Sequence, residues 1–549
     1  MRNAVCAPMA RRAGFGLVVL LAAACSSNGG DVGDGGDGGG VADGGDGGVV
    51  TGGCNPAKLP TEDTCVINDV EGIFVSSSMG TAAGDGTKAK PFASLQAGIA
   101  AATPAKKRVY ACAETYAETI TLADGVSIFG YFDCAKGWTV STSHAKVQPT
   151  TSPAATATNI TDPTRVEAVD LIAPSFTGSS QSSIGIIVVA SPALTIANAV
   201  IHAGTGGAGA KGTNGTTLTE STSTKNGHNS WTKGVCTSTL CNITAYIGGA
   251  AGGTNTCTGA TGHDGGNGGN GGAAGEYQSI ADSSGITYHW SAVSGHPTTG
   301  GNANPATAQT ALGGSVGQYN GGVPGLDGAP GANGNSGGAV GTFTASGYTP
   351  SDGTAGGDGQ PGQGGGGAGA YGLQDLSIAS RDQDVNPQSF QGDYGWGEAG
   401  AGGGAGGCPG LAGTPGKGGG ASVAIVALQS PFLLDHVTVE TSSGGAGGAA
   451  GTPSTPSPGG TGGTGGSPPS YTSPAFPMGT ISGWTAHAGW TGSGGKGGSG
   501  GAAGVSGNGG GGPSIGLVYQ GTEPTHTTAT ITPGQGGSPN GLSQDKYSF

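Results

Sequence analysis

Cysteines are the residues of this chain whose spacing most directly indicates chemistry. The sequence holds ten: Cys6, Cys25, Cys54, Cys65, Cys112, Cys134, Cys236, Cys241, Cys257 and Cys408. Cys6 lies in a basic and apolar leader, and Cys25 directly follows three alanines, so both stand apart. The other eight are an even number, which is typical of paired thiols in an oxidising compartment. We therefore predict disulfides among these eight.

Two interpretations are open for the last four cysteines. Cys236 and Cys241, with Cys257 and Cys408, could supply four thiolates to a metal ion. Their spacing lacks the C-x2-C pairs of common zinc sites, and free thiols are unusual outside the cytoplasm. Disulfides of undetermined connectivity are favoured, and neither a metal nor another cofactor is predicted. Earlier in the chain, Cys54 and Cys65 are expected to close a small loop.

Carboxylates are the next candidates for chemistry, because paired acids catalyse glycoside cleavage. Those of interest are scattered: Glu114, Glu118, Asp124, Asp133, Asp382, Asp384 and the pair Asp435–His436. The sequence also lacks G-x-S-x-G, H-E-x-x-H and a phosphate-binding loop between a strand and a helix. We predict no catalytic residue and keep an enzyme only as the alternative.

The N-terminus has the form of an export signal. Arginines precede a short apolar run, 14–21, which is too short to span a membrane. Ala22-Ala23-Ala24-Cys25 resembles a bacterial lipobox, in which the cysteine is acylated and anchors the mature chain. Position 22 departs from that motif, since leucine is usual there. Ordinary signal cleavage, with a soluble secreted product, is therefore the alternative.

We predict a signal peptide over 1–24 and a lipid anchor at Cys25, which would tie the chain to a membrane of the cell envelope. Ser26, directly after the anchor, favours the outer membrane or cell surface. Residues 25–53 are then a tether, because their glycines and aspartates offer no apolar pattern to bury.

Glycine dominates the composition. The 549 residues include 123 Gly and 31 Pro, a proportion typical of low-complexity or fibrous chains. Only 9% of residues are charged and 5% aromatic, so apolar contacts must be concentrated in a few places. The net charge of -14 argues against nucleic acid as a partner, because phosphate binding needs clustered Lys and Arg.

Order is predicted to begin at Cys54. Strand patterns occur at 72–76, 108–112, 120–122 and 126–129, and the segment 91–103 has apolar residues at helical spacing. The stretches GTKAKPFASLQAGIAAA and RVYACAETYAETITLADGVSIFGYFDC resemble the start of pectin-lyase-like right-handed parallel β-helix proteins. That resemblance implies an all-β fold in which one helix caps a coil of short parallel strands. The fold alone hosts lyases, hydrolases, adhesins and inert scaffolds.

The spacing of several residues supports the same fold. Val109, Val126 and Val147 recur at roughly the length of one β-helix turn, and Cys112 and Cys134 are about one turn apart. Stacked positions on successive turns are about 4.8 Å apart, within the Cα separation of roughly 4.4–6.8 Å that a disulfide tolerates. We predict that Cys112 and Cys134 link adjacent turns.

A second repeat lies further along the chain. The sequence 183–192 (SIGIIVVASP) matches 422–431 (SVAIVALQSP), and 514–518 (SIGLV) matches the start of both. A further strand pattern and then glycine follow each copy. Internal repetition of this kind marks a solenoid, whose turns bury their faces against one another. We expect three stacked turns, with two long insertions leaving from one corner.

The insertions carry glycine at every third position, as in 322–337, 404–419 and 492–510. A period of three suits an extended left-handed helix, and glycine would let such helices pack side by side as polyglycine-II. A collagen triple helix would need three chains and more regular proline. Plain flexible loops are the other alternative, and we expect the packed form.

These patterns divide the chain into consecutive parts. After the tether come the cap with the first turns (54–203), an insertion (204–418), one turn (419–442), a second insertion (443–512), and a final turn with a C-terminal tail (513–549).

Five of the six tryptophans lie in the insertions, where they could form apolar plugs or bind a surface glycan or protein. The function expected from the sequence is a surface-anchored structural or binding protein of the adhesin kind. The alternative is a carbohydrate-active enzyme, a polysaccharide lyase or hydrolase, on the same scaffold.

Overall fold

The computed structural model describes residues 54–230 apart from 56, then 249–272, 303, 321–370, 399–465 and 492–549, and the backbone of four short strands between 277 and 486. The predicted signal peptide, the anchor Cys25 and the tether lie outside these residues. So do Cys236, Cys241, Asp382 and Asp384.

The regular secondary structure of the described chain is almost all β-strand, which confirms the all-β prediction. Its strands are β1 (Gly72–Val75), β2 (Arg108–Cys112), β3 (Thr115–Tyr116), β4 (Ile120–Leu122), β5 (Ser127–Asp133), β6 (Thr139–Val140), β7 (Ala145–Val147), β8 (Ala155–Thr158), β9 (Thr164–Glu167), β10 (Val169–Ile172), β11 (Ser183–Val189), β12 (Leu194–Ala203), β13 (Tyr277–Ile280), β14 (His289–Ala292), β15 (Thr342–Thr344), β16 (Gly347–Thr349), β17 (Ser422–Leu428), β18 (Leu433–Thr441), β19 (Tyr471–Thr472), β20 (Thr485–Ala486), β21 (Ser514–Gln520), β22 (Thr525–Thr527), β23 (Thr530–Thr532) and β24 (Ser543–Ser548). The helices described are α1 (Leu95–Ala100) and two 3-10 turns, Thr64–Val66 and Cys134–Lys136.

Two sheets, parallel throughout except for the β5–β6 pair, form a half-barrel. The larger runs β1-β2-β5-β9-β12-β10-β7-β3, with β18 beside β12 and with β22 and β23 beside β18. The smaller runs β24-β21-β17-β11-β8-β4. Apolar side chains from both sheets meet in one core, which includes Val109, Ile128, Ile186 and Ile425. Burial on both faces of β11 and β17 explains why the sequences of these two strands are nearly continuous apolar runs.

The three repeats lie side by side in these sheets. In the smaller sheet Ser183 pairs with Ser422 and Ser422 with Ser514, so β11, β17 and β21 are consecutive strands in matching register. In the larger sheet β12 pairs with β18, and β18 with β22 and β23. The long insertions therefore run from β12 to β17 and from β18 to β21, between equivalent strand ends.

Helix α1 is shorter than the segment 91–103 that the sequence indicated. Ser94 is its N-cap, and its side chain accepts a hydrogen bond from the Ala97 N–H. Before the cap the chain is extended, because Phe92 makes a parallel bridge to Val75 at the end of β1. Leu95 and Ile99 are buried against the first strands, so the helix covers one end of the core.

Three disulfides are described. Cys54–Cys65 and Cys112–Cys134 have Cα separations of 5.5 Å and 5.6 Å, which confirms both predicted pairs. The third joins Cys257 to Cys408 at 5.8 Å, across 151 residues. This pair resolves part of the connectivity that the sequence left open.

Candidate functional site: a hydrogen-bonded glycine array

The described glycine-rich residues form one body, the glycine array, built from nine extended segments. They are s1 (204–216), s2 (224–230), s3 (249–256), s4 (264–272), s5 (321–338), s6 (351–370), s7 (399–420), s8 (443–465) and s9 (492–512). Hardly any of this backbone belongs to a strand or helix. Its order comes from hydrogen bonds between segments.

Those bonds recur at every third residue. Where s1, s7 and s8 meet, the Gly209 N–H donates to the Ala446 carbonyl at 2.7 Å, the Gly448 N–H to Lys417 at 2.8 Å, and the Lys417 N–H to Ala210 at 3.0 Å. Each segment thus donates to one neighbour and accepts from the other. These residues are thus packed side by side, as the sequence analysis expected, and not separate loops.

Segment s7 is the centre of the array. Its amides alternate between partners: the Gly403 N–H donates to Gly269 of s4, and the Gly404 N–H donates to Gly495 of s9. From 399 to 411 every residue of s7 is buried. A buried backbone needs all its polar groups paired, and the surrounding segments supply the partners.

Close approach explains the glycine at every third position. A β-carbon built on Gly403 would lie 1.9 Å from the Gly365 carbonyl oxygen, and one on Gly497 would lie 1.9 Å from that of Ala405. Any larger residue would push the segments apart and break the hydrogen bonds. The period of three therefore marks the inward positions of each segment.

Residues between the inward glycines form the outer surface. Segment s8 exposes every third residue from Ser443 to Thr464, and none of its residues is charged. Asparagines of the neighbouring segments complete the pairing: the Asn226 and Asn229 side chains accept from the Thr461 and Thr464 N–H groups at 3.0 Å and 2.9 Å. The exposed side of s8 is thus uncharged, and hydrogen bonds to its backbone fix its position beside s1 and s2.

One end of the array gathers eight segment ends. The Ser230 N–H donates to Thr464, Ala250 to Gly400, Gly272 to Ala368, Gly400 to Gly272, Gly322 to Ser493 and Gly494 to Gly463. Four chain connections, 231–248, 273–320, 371–398 and 466–491, therefore all begin and end at this place, which we call the array end. Strand pairs β13–β14 and β19–β20 belong to two of these connections.

A small apolar cluster lies halfway along the array, around the disulfide. Leu218 and Leu411 pack against Cys257 and Cys408, which are 2% and 1% exposed. The buried Asn255 side chain donates to the Gly406 carbonyl at 2.9 Å and contacts the Cys408 sulfur at 3.6 Å. This cluster joins the s3–s4 hairpin to s7.

Aromatic plugs under the array were expected, and most of the candidate residues fall outside the described chain. A different aromatic pair is described in the hairpin β15–β16, where the Phe343 and Tyr348 rings lie 4.8 Å apart. Phe343 belongs to the apolar cluster on the outer face of the smaller sheet, with Ile187 and Val426. It covers the sheet rather than the glycine segments.

The four acids near the capping end have structural partners. Glu114 accepts from Ser76, Ser77 and Ser78, and Glu118 accepts from the first amides of α1. Asp124 accepts from the Asp162 and Thr161 N–H groups, which lower its pKa. Asp133 pairs with Lys136 at 2.9 Å, and the Lys136 hydrogen bond lowers the pKa of that carboxyl. Glu118 thus fixes the start of α1, and the other three acids fix turns.

Other charged side chains lie near the pair Asp435–His436, which the sequence did not indicate. His436 Nδ1 lies 2.8 Å from Asp435 Oδ1, and Arg165 lies between two acids, 2.6 Å from Glu167 and 3.9 Å from Asp435. Arg165 spans the intervening strand β12 on the outer face of the larger sheet. The sequence could not reveal this group, because an insertion of more than two hundred residues separates its members.

The described residues were also compared with what a metal site and a membrane-spanning helix require. No three His, Cys, Asp or Glu side chains there converge as metal ligands. In that same part of the chain, no helical segment has the length and hydrophobicity to cross a bilayer. Comparison of the chain with family models, curated proteins and solved structures gave no match.

Proposed function

We propose that this chain is a binding protein displayed on a bacterial cell surface. In this proposal the paired sheets are a right-handed parallel β-helix, and the glycine array is a bundle of polyglycine-II helices that it carries. The ligand is a glycan or protein of an opposing surface, bound at the array end. The observation that carries the proposal is the meeting of eight segment ends there.

Repetition in the backbone supports the two structural parts of the proposal. Corner residues with positive φ recur in stacked turns, at Asn198 and His436 in the larger sheet and at Ala190 and Gln429 after the strands of the smaller one. In the array, bonds at every third residue between extended segments match the three-residue turn of the polyproline-type helix.

The sequence of the four connections supports binding at the array end. They contain five of the six tryptophans, and Trp231, Trp396 and Trp490 lie within three residues of described segment ends. Tryptophan and tyrosine supply large contact areas at binding surfaces, whereas s8 has no aromatic side chain to expose.

A binding assay tests the proposal directly. Purified protein lacking the signal and anchor is applied to printed glycans and to whole bacterial cells. We expect selective binding that falls more than tenfold in the variants Trp231→Ala, Trp396→Ala and Trp490→Ala. The control Thr452→Ala and Thr461→Ala, on the exposed side of s8, should bind like the parent. Equal binding by all variants, or no binding by the parent, would overturn the proposal.

Anchoring is tested in cells. The leader and Cys25 support export and acylation, and the Gly/Asp-rich residues after Cys25 support a spacer between membrane and fold. We expect the full chain to fractionate with the outer membrane, and Cys25→Ser to release it. Membrane association that survives Cys25→Ser would contradict the anchor.

A second candidate function is carbohydrate cleavage, and the group Arg165, Glu167, Asp435 and His436 favours it. Glu167 and Asp435 lie two strand spacings apart on one sheet face, roughly the separation that paired catalytic carboxylates require. Against it, the Arg165 guanidinium already forms ion pairs with both acids, at 2.6 Å and 3.9 Å.

Incubation of the protein with acidic and neutral polysaccharides distinguishes an enzyme from a binding protein. Release of reducing or unsaturated ends, abolished by Glu167→Gln and Asp435→Asn, would favour the enzyme.

A further inference from the structure

We infer that the disulfide between Cys257 and Cys408 completes the glycine array, so that the s3–s4 hairpin (249–272) docks only under oxidising conditions. The two parts of the fold differ in how much apolar side chain they pack. The sheets have a large shared apolar core, whereas the hairpin contributes almost no side chain larger than asparagine to its contacts.

Backbone hydrogen bonds make up most of the docking of this hairpin. Gly253 and Ala250 donate to s7, and Gly266 and Gly269 donate to s6, while s7 returns bonds through Gly403 and others. Each such bond adds little net stability, because the same groups bond to water when the hairpin is free. Glycine also loses more conformational freedom on ordering than any other residue. Hydrogen bonds alone therefore hold the hairpin weakly.

The disulfide changes this balance by connectivity. It joins the turn of the hairpin to the middle of s7, and it closes a loop of 151 residues. Linking distant residues removes much of the entropy that the separated segments would regain. Both cysteines are almost fully buried, so the bond forms as the hairpin docks, and docking protects it from later reduction.

Formation of the disulfide requires one outside reactant, an oxidant. The Cys257 and Cys408 thiols lose two protons and two electrons, and a disulfide-bearing oxidant takes them up and becomes a dithiol. Such oxidants act in export compartments and not in the cytoplasm. The array end would therefore be assembled only after export, because s3 begins and s4 ends there.

Residue-resolved hydrogen exchange on the mature chain tests this without any ligand. In Cys257→Ser/Cys408→Ser we expect amides of the hairpin and its partners, such as Gly253, Gly268 and Gly403, to exchange roughly 30- to 1000-fold faster. Gly404, the next residue on s7, donates to s9 and should stay protected. The control Cys112→Ser/Cys134→Ser, which removes a disulfide of the sheets, should leave all of these amides protected.

Two outcomes in the serine variants would overturn the inference. One is unchanged protection of the hairpin in the serine pair, which would mean that hydrogen bonds suffice. The other is loss of protection at Gly404 and in the sheets as well, which would mean that the bond holds the whole fold. A further variant, Cys257→Ala/Cys408→Val, refills the buried space without a covalent link. If it restores protection, packing and not oxidation completes the array.

Discussion

Glycines of this chain differ sharply in what surrounds them. Gly403 has the Gly365 carbonyl oxygen where a β-carbon would go, whereas a β-carbon on Gly338, at the edge segment s5, would find ordinary contacts at 3.6 Å. We expect Gly403→Ala to destabilise the array by about 1–3 kcal/mol or more, because packed backbone cannot move aside cheaply. Gly338→Ala, the matched control, should be neutral within about 0.5 kcal/mol. Thermal melts and hydrogen exchange check both, and equal effects would contradict the close-packed array.

Acid sensitivity should be traceable to single carboxylates. Burial disfavours the charged form of Glu114, but hydrogen bonds from Ser78, Ser77 and Ser76 outweigh it and hold the pKa below its usual value of 4.5. A carboxyl with a lowered folded pKa stabilises the fold above its unfolded pKa and loses that contribution as pH falls through the folded value.

The variant Glu114→Gln should therefore be less stable than the parent near pH 7. The difference in unfolding free energy should shrink as the pH falls below about 4.5 and disappear in stronger acid. Urea unfolding across this range measures it. A difference that is independent of pH would show that shape, and not charge, matters at this position.

Corners are the elements that set the path of each turn. Gln429 is exposed at the end of β17 with φ +50, a left-handed conformation that costs most residues about 1–2 kcal/mol. Gln429→Gly should raise the unfolding free energy by up to about 1 kcal/mol, and Gln429→Val should lower it by about 1–2 kcal/mol.

A glycine inside a strand should do the reverse of a glycine at this corner. Thr438→Gly in β18 removes a side chain where the backbone is extended, and it should cost about 0.5–1 kcal/mol. Denaturant unfolding of the three variants gives the comparison. Destabilisation by Gln429→Gly would mean that the side chain makes contacts that outweigh the backbone cost.

The pairing of strands was predictable where their side-chain patterns match. The repeats beginning at Ser183, Ser422 and Ser514 carry matching apolar patterns, so their stacking followed from the sequence. The period of three indicated packed glycine segments but not which segment lies beside which. Glycine-rich segments are alike in sequence, and their backbone groups can hydrogen-bond to any neighbouring segment. Partner choice comes from the strands where segments begin and from the buried disulfide, neither of which a local pattern reveals.

The molecule as a whole contains the same corner with and without an insertion. The two long insertions connect the larger sheet to the smaller one, from β12 to β17 and from β18 to β21. Two short connections make the same crossing in neighbouring turns: residues 173–182 connect β10 to β11, and 533–542 connect β23 to β24. Parallel pairing continues unbroken past both insertions. Short connections therefore suffice to join the two sheets at this corner. This indicates that the register of the stacked strands does not depend on the glycine array.

Replacing both insertions by copies of 173–182 puts this to the test. We expect parallel sheets with strand-type circular dichroism and a cooperative melt, because the inner core is intact. The hairpin that carries Phe343 would be lost, exposing Ile187 and Val426 on the smaller sheet. The shortened protein should therefore bind an apolar dye and self-associate, as large exposed apolar patches do. Ile187→Thr with Val426→Thr should relieve the association. Absence of any cooperative transition would mean that the sheets depend on the glycine array and could not have preceded it as a scaffold.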